Sequence, residues 1–274
     1  MADSRPHQHN ATQENPDNLP MTVASRFERV IGASLERVWE NVRDWEHLPH
    51  LHAGSFDDIK LDAEGNWGWR ARLKDSFGTP MVVELAIDEE NRRYVSRTLE
   101  GPLPGVEIWT DLSPQGPHET GITVAFHLPH LGAEQAKAVG KQLAATYQTL
   151  WDEDEAMMQQ RQQALDAARS RPPAELILGS EEEVRAALPL RIEWGGQPVR
   201  IVDHHGELAA FVALCPHMLG PLEEGPDEAG CITCPWHGYR FDLRTGRSAD
   251  GRGLRLKRGP RLEVRNAQAV LLKD

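Results

Sequence analysis

Two short segments in the C-terminal part of the chain bring thiols and imidazoles together. Cys215-Pro-His217 and Cys234-Pro-Trp-His237 read C-x-H and C-x-x-H, with sixteen residues between them. Thiolate and neutral imidazole suit zinc or an iron–sulfur centre, and two such pairs on two loops can close four positions around it. A second concentration lies nearer the N-terminus: Glu40-Asn-Val-Arg-Asp44-Trp-Glu-His47-Leu-Pro-His50-Leu-His52. Its three imidazoles fit either the polar end of a surface helix or a metal site. Asp44 and His47 are three apart, so they can meet on one helical face, where the carboxylate would orient the ring of a metal-binding His. His47 and His52 are five apart, about 140° around a regular helix. Pro49 disfavours helix at the residue before it, and a break there could bring both rings to one metal. His50 stays open as a ligand.

Two imidazoles need a third donor. Residues 133–168 contain no Pro and a single Gly, which predicts one long helix. Its apolar stripe is Leu143, Tyr147, Leu150, Trp151, Met158 and Leu165. Asp154 falls in the middle of that stripe, while Asp152, Glu153 and Glu155 project elsewhere. A carboxylate on a buried face is costly unless paired or bound to metal. Pairing with Arg161 is the plainer reading; the sharper one is the two-His-one-carboxylate triad of non-haem iron oxygenases.

The elements that must hold these residues divide the chain. It has 274 residues, 39% hydrophobic, with a net charge of −12. That length predicts two domains. No run reaches the roughly 18 apolar residues of a membrane span. Residues 1–21 read as a disordered tail without signal-peptide layout, so the expected location is cytoplasmic, with no membrane partner. The acidic balance argues against a nucleic-acid partner. Three cysteines are too few for a disulfide framework. A strand at 23–31, a helix at 34–45 with Ser34 as its N-cap, and strands at 57–61, 67–73, 81–87, 93–99, 106–112 and 121–128 precede the long helix. The expected fold class is α+β: an antiparallel sheet wrapped around a long helix over 22–168, a linker at 169–174, and a small all-β domain over 175–274. Most of the negative charge lies in the first part. The second carries a basic run from Arg240 to Arg261, either a solvated surface or a docking face for an acidic partner.

The run CPHMLGPLEEG…CPWHGYRFDLRTG resembles Rieske [2Fe–2S] domains. The resemblance implies that Cys215 and Cys234 hold one iron and His217 and His237 the other. Gly220 and Trp236 stand where respiratory members have a loop disulfide, which implies the lower-potential kind found in oxygenases and their ferredoxins. Cys231 is left as a structural thiol. The run Asp44-x-x-His47-x-x-x-x-His52, together with Glu153-Asp154 in the long helix, resembles the catalytic domain of Rieske non-haem iron oxygenases. Transferred by residue, His47, His52 and Asp154 would bind mononuclear Fe(II), and Asp44 would be the catalytic bridge to the cluster. Glu40 fits the acidic position preceding that motif. The first part resembles the START-like (SRPBCC) helix-grip superfold, which holds apolar or aromatic ligands between sheet and helix. Trp67, Trp69, Phe77, Trp109, Phe126, Tyr147 and Met158 are the candidates for a lining, with ordinary core as the plainer reading.

The domain order is the reverse of that family's. Its members commonly form homotrimers in which one subunit's cluster reaches its neighbour's iron; here transfer within one chain is also open. The implied activity is reductive O₂ activation on a small-molecule substrate, leading to hydroxylation or dealkylation. Electrons would come from a ferredoxin or an NAD(P)H-dependent reductase. The alternative is a START-like ligand-binding module fused to a Rieske electron carrier, without mononuclear iron.

Overall fold

A computed structural model describes residues 21–129 and 131–273. The tail expected at the N-terminus falls, but for Met21, outside those residues. Seven strands, β1 (Met21–Ile31), β2 (Phe56–Gly65), β3 (Gly68–Asp75), β4 (Pro80–Asp88), β5 (Arg93–Glu100), β6 (Glu107–Gly116) and β7 (Glu119–Pro129), form one antiparallel sheet in the order β1-β7-β6-β5-β4-β3-β2. Alternation decides its faces. In β3, Trp69, Ala71 and Leu73 are buried, while Arg70, Arg72 and Lys74 face solvent. Between β1 and β2 lie α1 (Leu35–Arg43) and the one-turn α2 (Leu48–Leu51). Ser34 caps α1 by accepting from the Arg37 N–H, as its position predicts.

The long helix, α3 (Ala133–Asp166), lies across β1 and β7 and touches α1. Val38, Trp69, Phe126, Trp151 and Met158 fill the core between sheet and helices. The stripe on α3 stops before Leu165, which is 46% exposed. The architecture is a helix grip followed by a small β domain.

That second part contains β8 (Glu175–Ser180), α4 (Glu181–Ala186), β9 (Leu190–Glu193), β10 (Pro198–His204), β11 (Glu207–Val212), β12 (Cys231–Thr233), β13 (Arg240–Asp242), β14 (Arg261–Arg265) and β15 (Gln268–Leu272). They make three small sheets, β11-β10-β9, β12-β13 and β14-β15-β8. Its second core holds Phe211, Leu222, Trp236 and Phe241, together with Met157 of α3 and, packed against it, Leu51 of α2. The two parts therefore share a hydrophobic contact one helical turn beyond Asp154. No helix among the described residues is long and apolar enough to cross a membrane.

Candidate functional site

The imidazole-rich segment leaves the helix earlier than its spacing predicts. Asp44 is the C-cap of α1, with φ −86° and ψ 90°, so Asp44 and His47 do not share a helical face. Pro49 does not break a helix but sits in the first turn of α2, where its missing N–H costs nothing. His47 and His52 flank that single turn, which is closed by Leu51 N–H to His47 O at 2.8 Å and His52 N–H to Leu48 O at 3.1 Å. Their rings face each other edge to face at 5.1 Å, and both are buried, at 3% and 1% exposure.

Asp154 reaches both rings from α3. One oxygen, Oδ1, lies 3.1 Å from His52 Nε2 and 3.4 Å from His47 Nε2, and it accepts from Asn41 Nδ2 at 2.9 Å. A donor atom from each of His47, His52 and Asp154 lies within 4.8 Å of the others. Arg161 does not pair with Asp154. It donates to Glu40 at 2.6 Å and to the Met218 carbonyl at 3.0 Å, tying α3 to α1 and to the second part. Glu153 does not project away as expected: its carboxylate meets His52 Nδ1 at 2.6 Å, which holds Nε2 toward Asp154. Its neighbours Asp152 and Glu155 pair with Arg29. His50 turns the other way, its ring stacked where a Cβ on Gly238 would stand, 2.3 Å from Cε1. That contact and a φ of +65° both require glycine at 238.

The four cysteine and histidine residues of the second part also converge. Each loop is a tight turn: Leu219 N–H bonds Cys215 O, and Gly238 N–H bonds Cys234 O, both at 2.9 Å. The rings of His217 and His237 are 4.5 Å apart, and Tyr239 stacks on His217 at 4.6 Å. A Cβ on Gly220 would sit 2.8 Å from Cys234 Sγ and 2.9 Å from the Trp236 ring, so these loops have no room for a side chain there. Cys231 is buried and unpaired with sulfur.

Between the two groups stands Asp44. Its Oδ2 meets His237 Nε2 at 2.6 Å and lies 3.5 Å from His47 Nδ1, an ion-pair distance without a hydrogen bond. A single carboxylate of the same chain thus spans the gap between a loop histidine and a triad histidine. A second clamp lies beside it. Tyr239 donates to Glu46, and Arg252 donates to Glu46 at 3.0 Å while stacking over the Tyr239 ring at 4.0 Å. Two members of the basic run are thereby committed, since Arg240 also pairs with Asp227.

Charge and orphaned atoms indicate what these sites accommodate. His217 Nδ1 and His237 Nδ1 are buried without hydrogen-bond partners. Contact with the Cys215 thiol pulls the Cys234 thiol down, and contact with Cys234 together with burial pushes Cys215 up. Two orphan imidazole nitrogens facing a thiol–thiolate pair fit a [2Fe–2S] cluster. In the front site, burial disfavours the charged forms of Asp154 and Asp44, but contact with the histidines holds both carboxyls well below their usual range. Burial opposes the charge on His47 too, yet Asp154 and Asp44 hold it up at about 10. Removing one partner from such a buried set costs several kcal/mol, and a divalent cation between the three donors would balance it. Loading a metal must displace the proton that His47 holds below its pKa of about 10. Cobalt(II) affinity is therefore expected to rise about tenfold per pH unit between pH 6.5 and 8.5, as measured by anaerobic titration; a pH-independent affinity would show that His47 gives up no proton on loading.

A cavity of about 400 Å³ opens onto the triad. It lies between the sheet and α3, with Trp69, Leu85, Tyr94, Tyr147 and Trp151 on its walls. Of the candidate aromatics, only Trp69 and Tyr147 line it. Phe126 and Met158 are buried core, Trp67 and Phe77 are 42% and 92% exposed, and Trp109 packs against Arg93 and His127.

Residues 174–257 match the Rieske [2Fe-2S] domain family. Apoptosis-inducing factor 3 of Homo sapiens is 40% identical over 63 residues, covering 23% of this chain and 10% of that protein. Chloroplastic pheophorbide a oxygenase of Oryza sativa subsp. japonica is 53% identical over 38 residues, covering 14% of this chain and 7% of that one. The chain therefore spans a tenth or less of either relative. Over 54% of this chain and all of the other, the structure is similar to the Zhui aromatase/cyclase from Streptomyces sp. R1128, with 12% identity and a TM-score of 0.47.

Proposed function

We propose that this chain is a Rieske-type non-haem iron oxygenase in which the cluster and the mononuclear iron are joined within one polypeptide. The observation that carries the reading is Asp44, held between His237 at 2.6 Å and His47 at 3.5 Å. Cys215, Cys234, His217 and His237 would hold the [2Fe–2S] cluster, and His47, His52 and Asp154 the Fe(II). When bound, the cluster supplies single electrons, and a triad iron with open positions supplies the reductive chemistry of O₂.

The residues of the chain set the stage for that chemistry. Asp44 accepts from His237 Nε2–H, which turns Nδ1 of the same ring toward the cysteines. Glu153 accepts from His52 Nδ1–H and so presents Nε2 to Asp154, while Asn41 orients the Asp154 carboxylate from the other side. The apolar walls keep water from the triad and hold a small substrate beside it. The Arg161–Glu40 pair and the Glu46–Tyr239–Arg252 clamp hold the two parts in register, so that Asp44 does not lose either ring. Because His237 and Asp44 meet within one chain, no second copy is needed to join the sites. A ferredoxin or an NAD(P)H-dependent reductase would deliver the electrons, and the product would be a hydroxylated or dealkylated molecule.

The test is oxygen incorporation. Protein supplied with a reductase, NADH and a panel of apolar candidates is expected to place ¹⁸O from ¹⁸O₂ in a product seen by mass spectrometry. Reduction and reoxidation of the cluster with no labelled product, and no metal in the front site, would favour a ligand-binding module fused to an electron carrier.

A further inference from the structure

We infer that the cavity selects an uncharged or cationic apolar molecule and rejects anions, an assignment that rests on the proposed reading of this cavity as the substrate site. Among the described residues that line it, none is Lys or Arg; its ionisable groups are His47 and His52 of the triad and three carboxylates, Asp44, Asp75 and Asp154. The absence is built into the sheet. Tyr94, Ser96 and Thr98 of β5 face the cavity, so the alternating Arg93 and Arg97 point away, where Asp111 and Glu107 hold them at 2.6 and 2.8 Å. Arg70 and Arg72 of β3 are likewise turned outward and paired, with Glu84 at 2.5 Å and Asp62 at 3.1 Å. On α3 the nearest cation beyond the triad, Arg161, is bound to Glu40 and the Met218 carbonyl. These four strand arginines would each have to leave a carboxylate partner and cross the sheet to reach the cavity.

An anion entering this space would lose its hydration and meet only the positive charge held at the triad, which Asp44 and Asp154 already offset, while Asp75 repels it. A neutral molecule meets apolar walls. An ammonium gains those carboxylates, beside the aromatic side chains of Trp69, Tyr94, Tyr147 and Trp151.

The test uses three ligands on one skeleton, 4-phenylbenzyl alcohol, 4-phenylbenzylamine and biphenyl-4-carboxylate, titrated calorimetrically into full-length protein loaded anaerobically with iron. The alcohol and the amine are expected to bind, and the carboxylate to bind at least about tenfold more weakly, the cost of one uncompensated charge in a partly dry site. Thr98→Lys, which puts a cation on the wall, is expected to reverse the order of alcohol and carboxylate. A carboxylate that binds wild type as tightly as the alcohol, or a failure of all three to bind, overturns the assignment. If the Lys variant does not fold, the wild-type order alone decides. Binding is read without turnover, so a chain that takes the alcohol and incorporates no oxygen keeps the cavity assignment and loses the oxygenase reading.

Discussion

Asp44→Asn is expected to keep the cluster spectrum and the front-site iron while lowering turnover by about 100-fold, the upper end for loss of a group that orients a metal ligand. The reason is charge. Asp44 receives His237 Nε2 and faces His47 Nδ1 with the same oxygen, Oδ2. An asparagine amide oxygen can take that place as an acceptor, but it carries no negative charge to hold the two rings together. Size and packing are conserved, so a general loss of folding is not the expected outcome. The readout is product formation with a reductase, beside iron content and the visible spectrum. Turnover equal to wild type with both metals present would remove Asp44 from the link.

Asp154→Ala should have the second large effect: loss of the front-site iron and of oxygenation, with the cluster untouched. Asp154 is the carboxylate that both Nε2 atoms approach, at 3.1 and 3.4 Å. Without it two imidazoles and Asn41 remain, and none of them carries a charge to balance a dication. Iron per chain is expected to fall by one, with acid-labile sulfide unchanged. Equal iron in variant and wild type would show that Asp154 is not a ligand. His52→Ala should repeat the result, since its Nε2 points at the same oxygen.

Much of the scaffold was legible because it obeys simple periods. Strands such as β3 and β7 alternate, the 34-residue helix α3 has no breaker, and Asp154 stood out as a charge within an apolar stripe. What failed was local geometry around a break. Spacing placed Asp44 and His47 on one helix, but α1 ends at Arg43, and Pro49 opens α2 rather than ending α1. Asn41 escaped notice because its role depends on α1 packing against α3 across more than a hundred residues, and the role of Glu153 because the turn of α2 brings His52 to it. Glu153 had a signal in its position beside Asp154, but helical phase alone pointed it elsewhere. The Glu46–Tyr239–Arg252 clamp has no local signature at all, since it exists only where the two parts meet. Phe77 shows the opposite error: a large aromatic reads as core or lining, yet the turn between β3 and β4 leaves it in solvent.

The most direct measurement is the ratio of iron to acid-labile sulfide in anaerobically purified, iron-replete protein. The account expects about three irons and two sulfides per chain, two of the irons in the cluster. Two irons with two sulfides, in protein whose cluster spectrum is complete, would contradict it.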